Sequence, residues 1–485
     1  MNHDTICALA TANGIGAIGI IRVSGEKSFE IVNKIFEGKN LEKADSHTVH
    51  YGYIVDREPR AEIREPRTAN SKFKIQNLES EVIDEVMVSV FHAPKTFTTE
   101  NSVEISFHGS LHIAQKILEV LIKNGARMAK PGEFTMRAFM NGRIDLAQAE
   151  SIADLIASEN EASRKLALHQ LKGGISNEIS FLRTDLLNFT SLIELELDFA
   201  EEDVEFADRT AMMSLIQNLK FKIQNLLDSF SYGNAVKNGL AVAIIGKPNA
   251  GKSTLLNALL KEERAIVSDI AGTTRDTIEE ILHIKGNAFR LIDTAGLRET
   301  TDEIEKIGVA KAKEKVENAD VLVYLVDSNV EDISEDVEML NELIREDLKT
   351  IVCFTKSAVI ASSDKVATKQ SLQKFNIQHS TFNILELSAK ENIGLQELKD
   401  ELSNFVESLK SSESNVIITN QRHYEALQKS LDSVHRVEAA ILGKISTELL
   451  AYELRNALEH LGEISGEFTN DEVLGNIFSK FCIGK

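Results

Sequence analysis

The sequence predicts a multidomain protein of α/β plus α class. It reads as an N-terminal α+β domain, an all-helical domain, and a P-loop module with a doubly wound, mostly parallel sheet inserted into the helical one. Three observations predict this. Residues 1–141 mix strand-like runs with helical patterns, and residues 142–236 and 410–485 read as helices alone. Residues 237–409 alternate apolar runs with helical stretches. A chain of 485 residues has length for roughly two to four domains, each burying its own core.

In the first block, "AIGIIRVSG", "VMVSVFH" and "SVEISFHG" are short strand candidates, and "SLHIAQKILEVLIKNGA" has apolar residues at helical spacing. The stretch 56–80, "DREPRAEIREPRTANSKFKIQNLES", is polar and repeats REPR, so a surface loop or hairpin extension is expected there. Further on, "LAQAESIADLIASENEASRKLALHQL" predicts helix that stops at Gly173-Gly174. Two more helices are expected near 176–198 and 209–230.

The central block contains the apolar runs "LAVAIIG", "FRLID", "VLVYLVD", "TIVCF" and "FNILELSA". Helical stretches at 252–260, 305–318, 335–347 and 393–408 alternate with them, as parallel strands with right-handed crossovers require. In "ILHIKGNAFRLID" a Gly286-Asn287 turn predicts one antiparallel edge pair. Helices on both sides of this block suggest an insertion into a helical domain.

Hydrophobic residues make up 43% and charged residues 27%, an ordinary globular balance. The formal net charge of −21 argues against a generally basic surface gripping nucleic acid, while leaving room for a local basic patch. Cys7, Cys353 and Cys482 are far apart, and without a CxxC or Cys/His cluster no disulfide framework, zinc or iron–sulfur site is indicated. The start, "MNHDTICALATANG", has an early aspartate and no long apolar core, unlike a signal peptide. No run approaches the roughly 18 apolar residues of a membrane span. The ending "CIGK" is a poor prenylation box. A soluble cytoplasmic protein is expected.

Gly246-x4-Gly251-Lys252-Ser253 follows one strand and opens a helix, the pattern that wraps backbone N–H groups around phosphates. Lys252 would reach the β/γ phosphates and the Ser253 hydroxyl would ligate Mg²⁺. "IAGTTRD" offers Thr274 as a switch threonine on Mg²⁺; "DTAG" offers Asp293 for the metal through water and the Gly296 N–H for the γ-phosphate. Each tetrapeptide alone could be a loop; the ordered set is specific. No glutamine follows "DTAG", where Leu297-Arg298-Glu299 stand, so water needs another orienting group. At 355–358, where Asn-Lys-x-Asp would read guanine, the chain has Thr355-Lys356-Ser357-Ala358. Ala358 has no acceptor, which predicts a roughly ten- to several-hundredfold loss of GTP affinity. What remains is the Lys356 stem and the loop Ser388-Ala389-Lys390, whose backbone N–H can meet guanine O6.

Six stretches together resemble the MnmE (TrmE) family of tRNA-modification GTPases: "PNAGKS", "GTTRD", "DTAGLRETTDEIEKIG", "GAIGIIRVSG", "KPGEFTMRAFMNGRIDLAQAE" and "GEFTNDEVLGNIFSKFCIGK". The resemblance spans nearly the whole chain outside 56–80. It implies a homodimer of three-domain subunits: a folate-binding and dimerisation domain at 1–141, a helical domain at 142–236 and 410–485, and a G domain at 237–409. It implies a heterotetramer with the flavoprotein MnmG that modifies carbon 5 of the wobble uridine in certain tRNAs. The added aminomethyl or carboxymethylaminomethyl group takes its carbon from a 5-formyl or methylene tetrahydrofolate.

GTP hydrolysis to GDP and phosphate is implied to need Mg²⁺, on Ser253 and Thr274, and K⁺, on Asn249, Ser268, Ile270 and Thr273. The implied nucleotide contacts are Asn249, Ala250, Gly251, Lys252, Ser253 and Thr254. They continue through Ser268, Asp269, Ile270, Ala271, Gly272, Thr273 and Thr274, then Asp293, Thr294, Ala295 and Gly296, and end with Lys356, Ser388, Ala389 and Lys390. Catalytic roles match Lys252, Thr274 and Glu305, the last orienting water; read alone, Glu305 is a solvated helix-start residue. Folate contacts match Arg22, Glu104, Arg143 and Lys485, with arginine at 143 where lysine is usual. Residues 127–143 carry four cations against one acid, readable as a phosphate or folate-tail surface or as a solvated face. Cys482 is either a small side chain tucked in to anchor the tail or a thiol near the modification site. A ribosome-assembly-type GTPase and a nucleotide-binding scaffold with weakened guanine selectivity are the other readings.

Overall fold

The computed structural model describes residues 4–57, 81–198, 209–263, 280–292, 313, 316–330, 332–345, 347–356, 382–410, 416–443, 446–468 and 471–484. The chain divides into two compact units, Met1–Ala153 with Ser465–Lys485, and Asp154–Ile464. Among the described residues no helix is long and apolar enough to cross a membrane.

The first unit is built on a seven-stranded sheet: β1 (Ile6–Leu9), β2 (Ile18–Ser24), β3 (Phe36–Glu37), β4 (Thr48–Asp56), β5 (Glu81–Phe91), β6 (Ser102–His108) and β7 (Arg127–Met128). Their order is β3-β4-β5-β6-β2-β1-β7, antiparallel except for the parallel pair β1–β7. Period-2 alternation sends Val86, Val88 and Val90 of β5 into the core. There they meet Ile31 and Ile35 of the helix Ser28–Ile35, and Ile117 and Leu121 of the helix Leu111–Lys123. Full burial of each such side chain contributes about 1.5–3 kcal/mol. Strand β4 ends opposite the start of β5, with Asp56 paired to Glu81; residues 58–80 lie outside the described residues. The helix Asp471–Ser479 belongs to this unit, and Phe478 and Phe481 bury their rings with Leu146 and Ala149. Gly484 (φ 96°) follows, and a Cβ there would stand 2.2 Å from the Leu9 carbonyl oxygen, so only glycine fits.

The second unit joins helices far apart in sequence. Lys220 on Arg209–Asp228 and Glu438 on Gln421–Leu442 form an ion pair at 2.6 Å. The Ile418 N–H donates to Ser229 Oγ at 3.0 Å, and Gln170 Nε2 donates to the Ile417 carbonyl at 2.9 Å. Residues 240–408 are thus looped out between helices that pack together. The helical pattern expected from 146 to Gly173-Gly174 is broken once, into Leu146–Ala157 and Glu161–Leu171. Asn160 is the reason: its side chain accepts from the Ser163 N–H at 2.8 Å and starts a new helix.

The looped-out sheet consists of β8 (Leu240–Gly246), β9 (Glu280–Ile284), β10 (Asn287–Leu291), β11 (Val321–Asp327), β12 (Lys349–Thr355) and β13 (Asn383–Leu387), in the order β13-β12-β11-β8-β10-β9. Every pair is parallel except β9–β10, the expected antiparallel edge. Its turn lies at Lys285-Gly286 (φ 48° and 83°), one residue earlier than the expected Gly286-Asn287. Asn287 already pairs with Ile284, and two positive φ values suit a tight hairpin twist.

Candidate functional site

Strand β8 runs out at Gly246, and the helix Lys252–Glu263 starts six residues later. The loop between them needs left-handed backbone at Asn249 (φ 64°) and Gly251 (φ 96°). That turn sets the positive end of the helix dipole against the loop, as an anion site requires. The Lys252 ammonium donates to the carbonyls of Gly246 at 2.7 Å and Lys247 at 2.8 Å, so it sits inside the loop. Asn249, Ser253 and Thr254 are exposed at the rim, and Ala250 is buried.

A second anchor holds the start of the loop. Lys247 Nζ meets Glu335 at 2.8 Å and the buried Asp336 at 3.1 Å, and Asp336 accepts from the buried Tyr324 hydroxyl at 3.1 Å. Burial alone would lower the Lys247 ammonium, but these carboxylates outweigh it and raise its pKa. Burial, reinforced by Asp336, pushes the Tyr324 phenol well above its usual range.

The neighbouring parallel strands end at the same level, because the register sets Asp327 beside Thr355 and Thr355 beside Leu387. Thr355 is 4% exposed, and its hydroxyl donates to the Ala250 carbonyl at 2.8 Å with Val326 O at 3.2 Å. Lys356 follows with φ 64°, and its ammonium pairs with Asp327. Burial alone would raise the Asp327 carboxyl, but Lys356 and the Asn329 N–H hold it below the usual range. Beyond β13, the buried Ser388 exchanges backbone hydrogen bonds with Ile393 at 2.9 and 3.1 Å; this closes a tight loop carrying Ala389 and the exposed Lys390. The phosphate loop, Lys356 and the Ser388 loop therefore occupy one edge, the carboxyl ends of parallel strands, where open α/β sheets take ligands.

A separate cluster lies in the N-terminal unit. Arg22 on β2 sits opposite Glu104 on β6 and pairs with it at 2.9 Å. Arg22 also donates to the Gly484 carbonyl at 3.4 Å, so the last described residue reaches this cluster. The guanidinium carbons of Arg22 and Arg143 stand 5.3 and 5.1 Å from the Phe97 ring centroid, and Arg22 is 5.6 Å from Phe134.

The basic stretch 127–143 is not the open cationic face that its composition allowed. Arg127 pairs with Asp4 and Glu133 at 2.6 Å each, and Arg137 pairs with Asp4 at 2.8 Å, Glu133 at 3.1 Å and Glu100 at 3.2 Å. Two of these partners, Asp4 and Glu100, are far away in sequence, so the composition of the stretch could not reveal them. The Arg127 hydrogen bond holds the Asp4 carboxyl below the usual range; burial would raise Glu133, yet the same guanidiniums keep it low. Only Lys130 and Arg143 of the four cations are exposed.

Family models match in two blocks: the GTP-binding protein TrmE N-terminus over residues 5–143 and the MnmE helical domain over residues 146–482. The tRNA modification GTPase MnmE of Flavobacterium johnsoniae is 48% identical over 495 residues, covering 100% of both chains. That of Cytophaga hutchinsonii is 48% identical over 487 residues, covering 100% of this chain and 98% of the relative. That of Bacteroides thetaiotaomicron is 47% identical over 492 residues, with 100% of both covered.

The chain belongs to the MnmE family.

Several positions that the MnmE resemblance implicates lie outside the described residues: Ser268, Asp269, Ile270, Ala271, Gly272, Thr273, Thr274, Asp293, Thr294, Ala295, Gly296, Glu305 and Lys485, with Ala358. Asn249 and Ser253, exposed oxygen-bearing side chains at the loop rim, have the hard-donor chemistry that K⁺ and Mg²⁺ take. In the MnmE-type ending, Cys482 is exposed rather than tucked in; Phe478 and Phe481 do the anchoring. Its carbonyl accepts from the Gly132 N–H at 3.3 Å. Sequence reasoning missed Thr355 as a loop tether, Asp327 as the Lys356 partner, and Phe97 as a ring that two guanidiniums approach. Only Asp327 left a signal, as an acid ending a buried strand at the phosphate-loop end of the sheet.

Proposed function

We propose that this chain hydrolyses GTP to GDP and phosphate and couples that reaction to tRNA modification. The observation that carries the reading is the shared strand-end edge: the phosphate loop with Lys252 inside it, and Lys356 with the Ser388 loop on neighbouring parallel strands. Lys252 meets the β/γ phosphates, Ser253 and Thr274 take Mg²⁺, and Glu305 orients the water. Asn249, Ser268, Ile270 and Thr273 would hold K⁺, which would supply positive charge to offset the negative charge that develops in the transition state.

The partners are a second copy of the chain, the flavoprotein MnmG in a heterotetramer, and tRNA, in the cytoplasm. The modified atom is carbon 5 of the wobble uridine. The carbon comes from a tetrahydrofolate held at Arg22, Glu104, Arg143 and Lys485, where the Arg22–Glu104 pair offers donors and an acceptor side by side. The test is phosphate release at millimolar GTP in K⁺ and in Na⁺, followed by nucleoside analysis of tRNA incubated with both proteins and the folate. Lys252→Ala should abolish release, and hydrolysis equal in both salts would overturn the potassium role.

A second reading has one observation in its favour, Ala358 at the base-reading position. In it the chain binds nucleotide with weak guanine selectivity and acts as a scaffold for its partner. Negligible phosphate release at millimolar GTP in K⁺ would select it.

A further inference from the structure

Beside Phe97 in the N-terminal unit lies an open cavity of about 470 Å³, inside the ~300–1,000 Å³ range of ligand clefts. Phe91 and Phe97 supply its apolar surface, and His47, Lys95, Asn141 and Arg143 its polar surface. Among the described residues no carboxylate lines it, although the chain carries a formal net charge of −21. Of the acids near these residues in sequence, Glu100 is committed to Arg137 and the Ser24 hydroxyl, and Asp145 accepts from the Gln148 N–H at 2.8 Å, while Asp45 is exposed and does not line the cavity.

The walls are preformed. The Ala93 N–H donates to Asn101 Oδ1 at 3.1 Å, and the Thr96 hydroxyl donates to the Glu100 carbonyl at 2.7 Å. Asn141 Nδ2 donates to the Thr98 carbonyl at 2.7 Å, which joins the loop bearing Arg143 to the loop bearing Lys95 and Phe97. Lys95 and Arg143 are exposed, so their charges are presented without rearrangement of the backbone.

We propose that this cavity is a subsite for the oligo-γ-glutamate tail of a folate; it rests on the assignment of Arg22, Glu104, Arg143 and Lys485 to a folate. Lys95 with Arg143 takes successive tail carboxylates. Each added γ-glutamyl unit brings one more carboxylate to a wall that carries cations and no acid. RNA phosphates share the anionic chemistry, but a backbone needs a longer basic track. Arg127 and Arg137, which would extend one, are already neutralised by Asp4, Glu100 and Glu133.

The experiment is calorimetry on the full chain with 5-formyltetrahydrofolate carrying one or three glutamates, for wild type, Lys95→Ala and Lys95→Glu. The triglutamate should bind roughly fivefold to twentyfold more tightly at low salt, the yield of two exposed ion pairs, and the advantage should shrink as salt rises. Lys95→Ala should reduce the advantage and Lys95→Glu remove it, the triglutamate Kd rising more than the monoglutamate Kd in each variant. Equal Kd values in wild type overturn the tail subsite and leave the folate reading standing. Failure of both ligands to bind overturns the folate reading itself. A Lys95→Glu protein that loses tRNA affinity but keeps the triglutamate advantage assigns the cavity to RNA phosphate instead.

Discussion

The Thr355 hydroxyl donates to the Ala250 carbonyl at 2.8 Å, tying the last residue of β12 to the phosphate loop 105 positions earlier. One side chain thereby fixes the strand end that presents Lys356 to the loop that would grip phosphate. Thr355→Val keeps the shape and removes the donor, leaving a buried carbonyl short of a partner at a cost of about 1–3 kcal/mol. Stability in urea should fall by that amount, GTP affinity should drop about tenfold, and Thr355→Asn should restore both. Unchanged values in Thr355→Val would remove the tether from the account.

Base selection is a separate property, because Thr355 is held by main-chain carbonyls and Lys356 by Asp327. Ala358→Asp should raise GTP affinity roughly ten- to several-hundredfold and leave ATP nearly unaffected. Calorimetric competition among GTP, ATP and XTP reads this out. If the variant discriminates no better than wild type, guanine is selected by other groups, the Ser388 loop first among them.

Acid should unfasten the N-terminal unit. Asp4 and Glu133 both have lowered pKa values when folded, owing to Arg127 and Arg137. Their contribution is therefore present above the unfolded-state pKa values and is lost as pH falls through the folded ones, below about pH 4. Arg137→Leu leaves Glu133, 5% exposed, with Arg127 and the Lys130 N–H but one arginine fewer, and should cost about 1.5–3 kcal/mol at pH 7. The gap between variant and wild type in urea midpoints should close as pH drops below 4. A gap independent of pH would mean that Arg137 acts through packing alone.

The three thiols should separate cleanly in a labelling experiment. Burial pushes Cys7 and Cys353 up to about 12, whereas Cys482 is exposed. One equivalent of a thiol reagent should react at pH 8 in the folded protein, and Cys482→Ala should abolish that reaction. More than one fast equivalent would show that the buried pair is reachable.

The same variant addresses function. Cys482→Ala should leave K⁺-stimulated phosphate release within about twofold of wild type, since Cys482 belongs to the N-terminal unit and the phosphate loop to the other. A large loss of hydrolysis would count against any role confined to the modification chemistry.

Much of this molecule follows from local pattern. Strands β8 and β11 fall where the runs "LAVAIIG" and "VLVYLVD" placed them, because a strand buried on both faces is a continuous apolar run that no other element explains as well. The phosphate loop is equally local: its glycines and Lys252 lie within eight consecutive residues, and turn chemistry sets their geometry. Contacts between residues distant in sequence had no such signal. The break at Asn160 depended on a side-chain cap competing with a good helical period.

What tertiary structure alone decided is which charges are spent and which strand ends meet. Arg127 and Arg137 look like free cations in a basic stretch, yet Asp4, from the far end of the unit, neutralises both. Thr355 looks like a lost asparagine until parallel pairing brings it level with the phosphate loop. The physical reason is one of range. Backbone geometry and hydrophobic period act over a few residues and are written in order along the chain, whereas ion pairs and tethers form between surfaces that exist only once the sheet has aligned them.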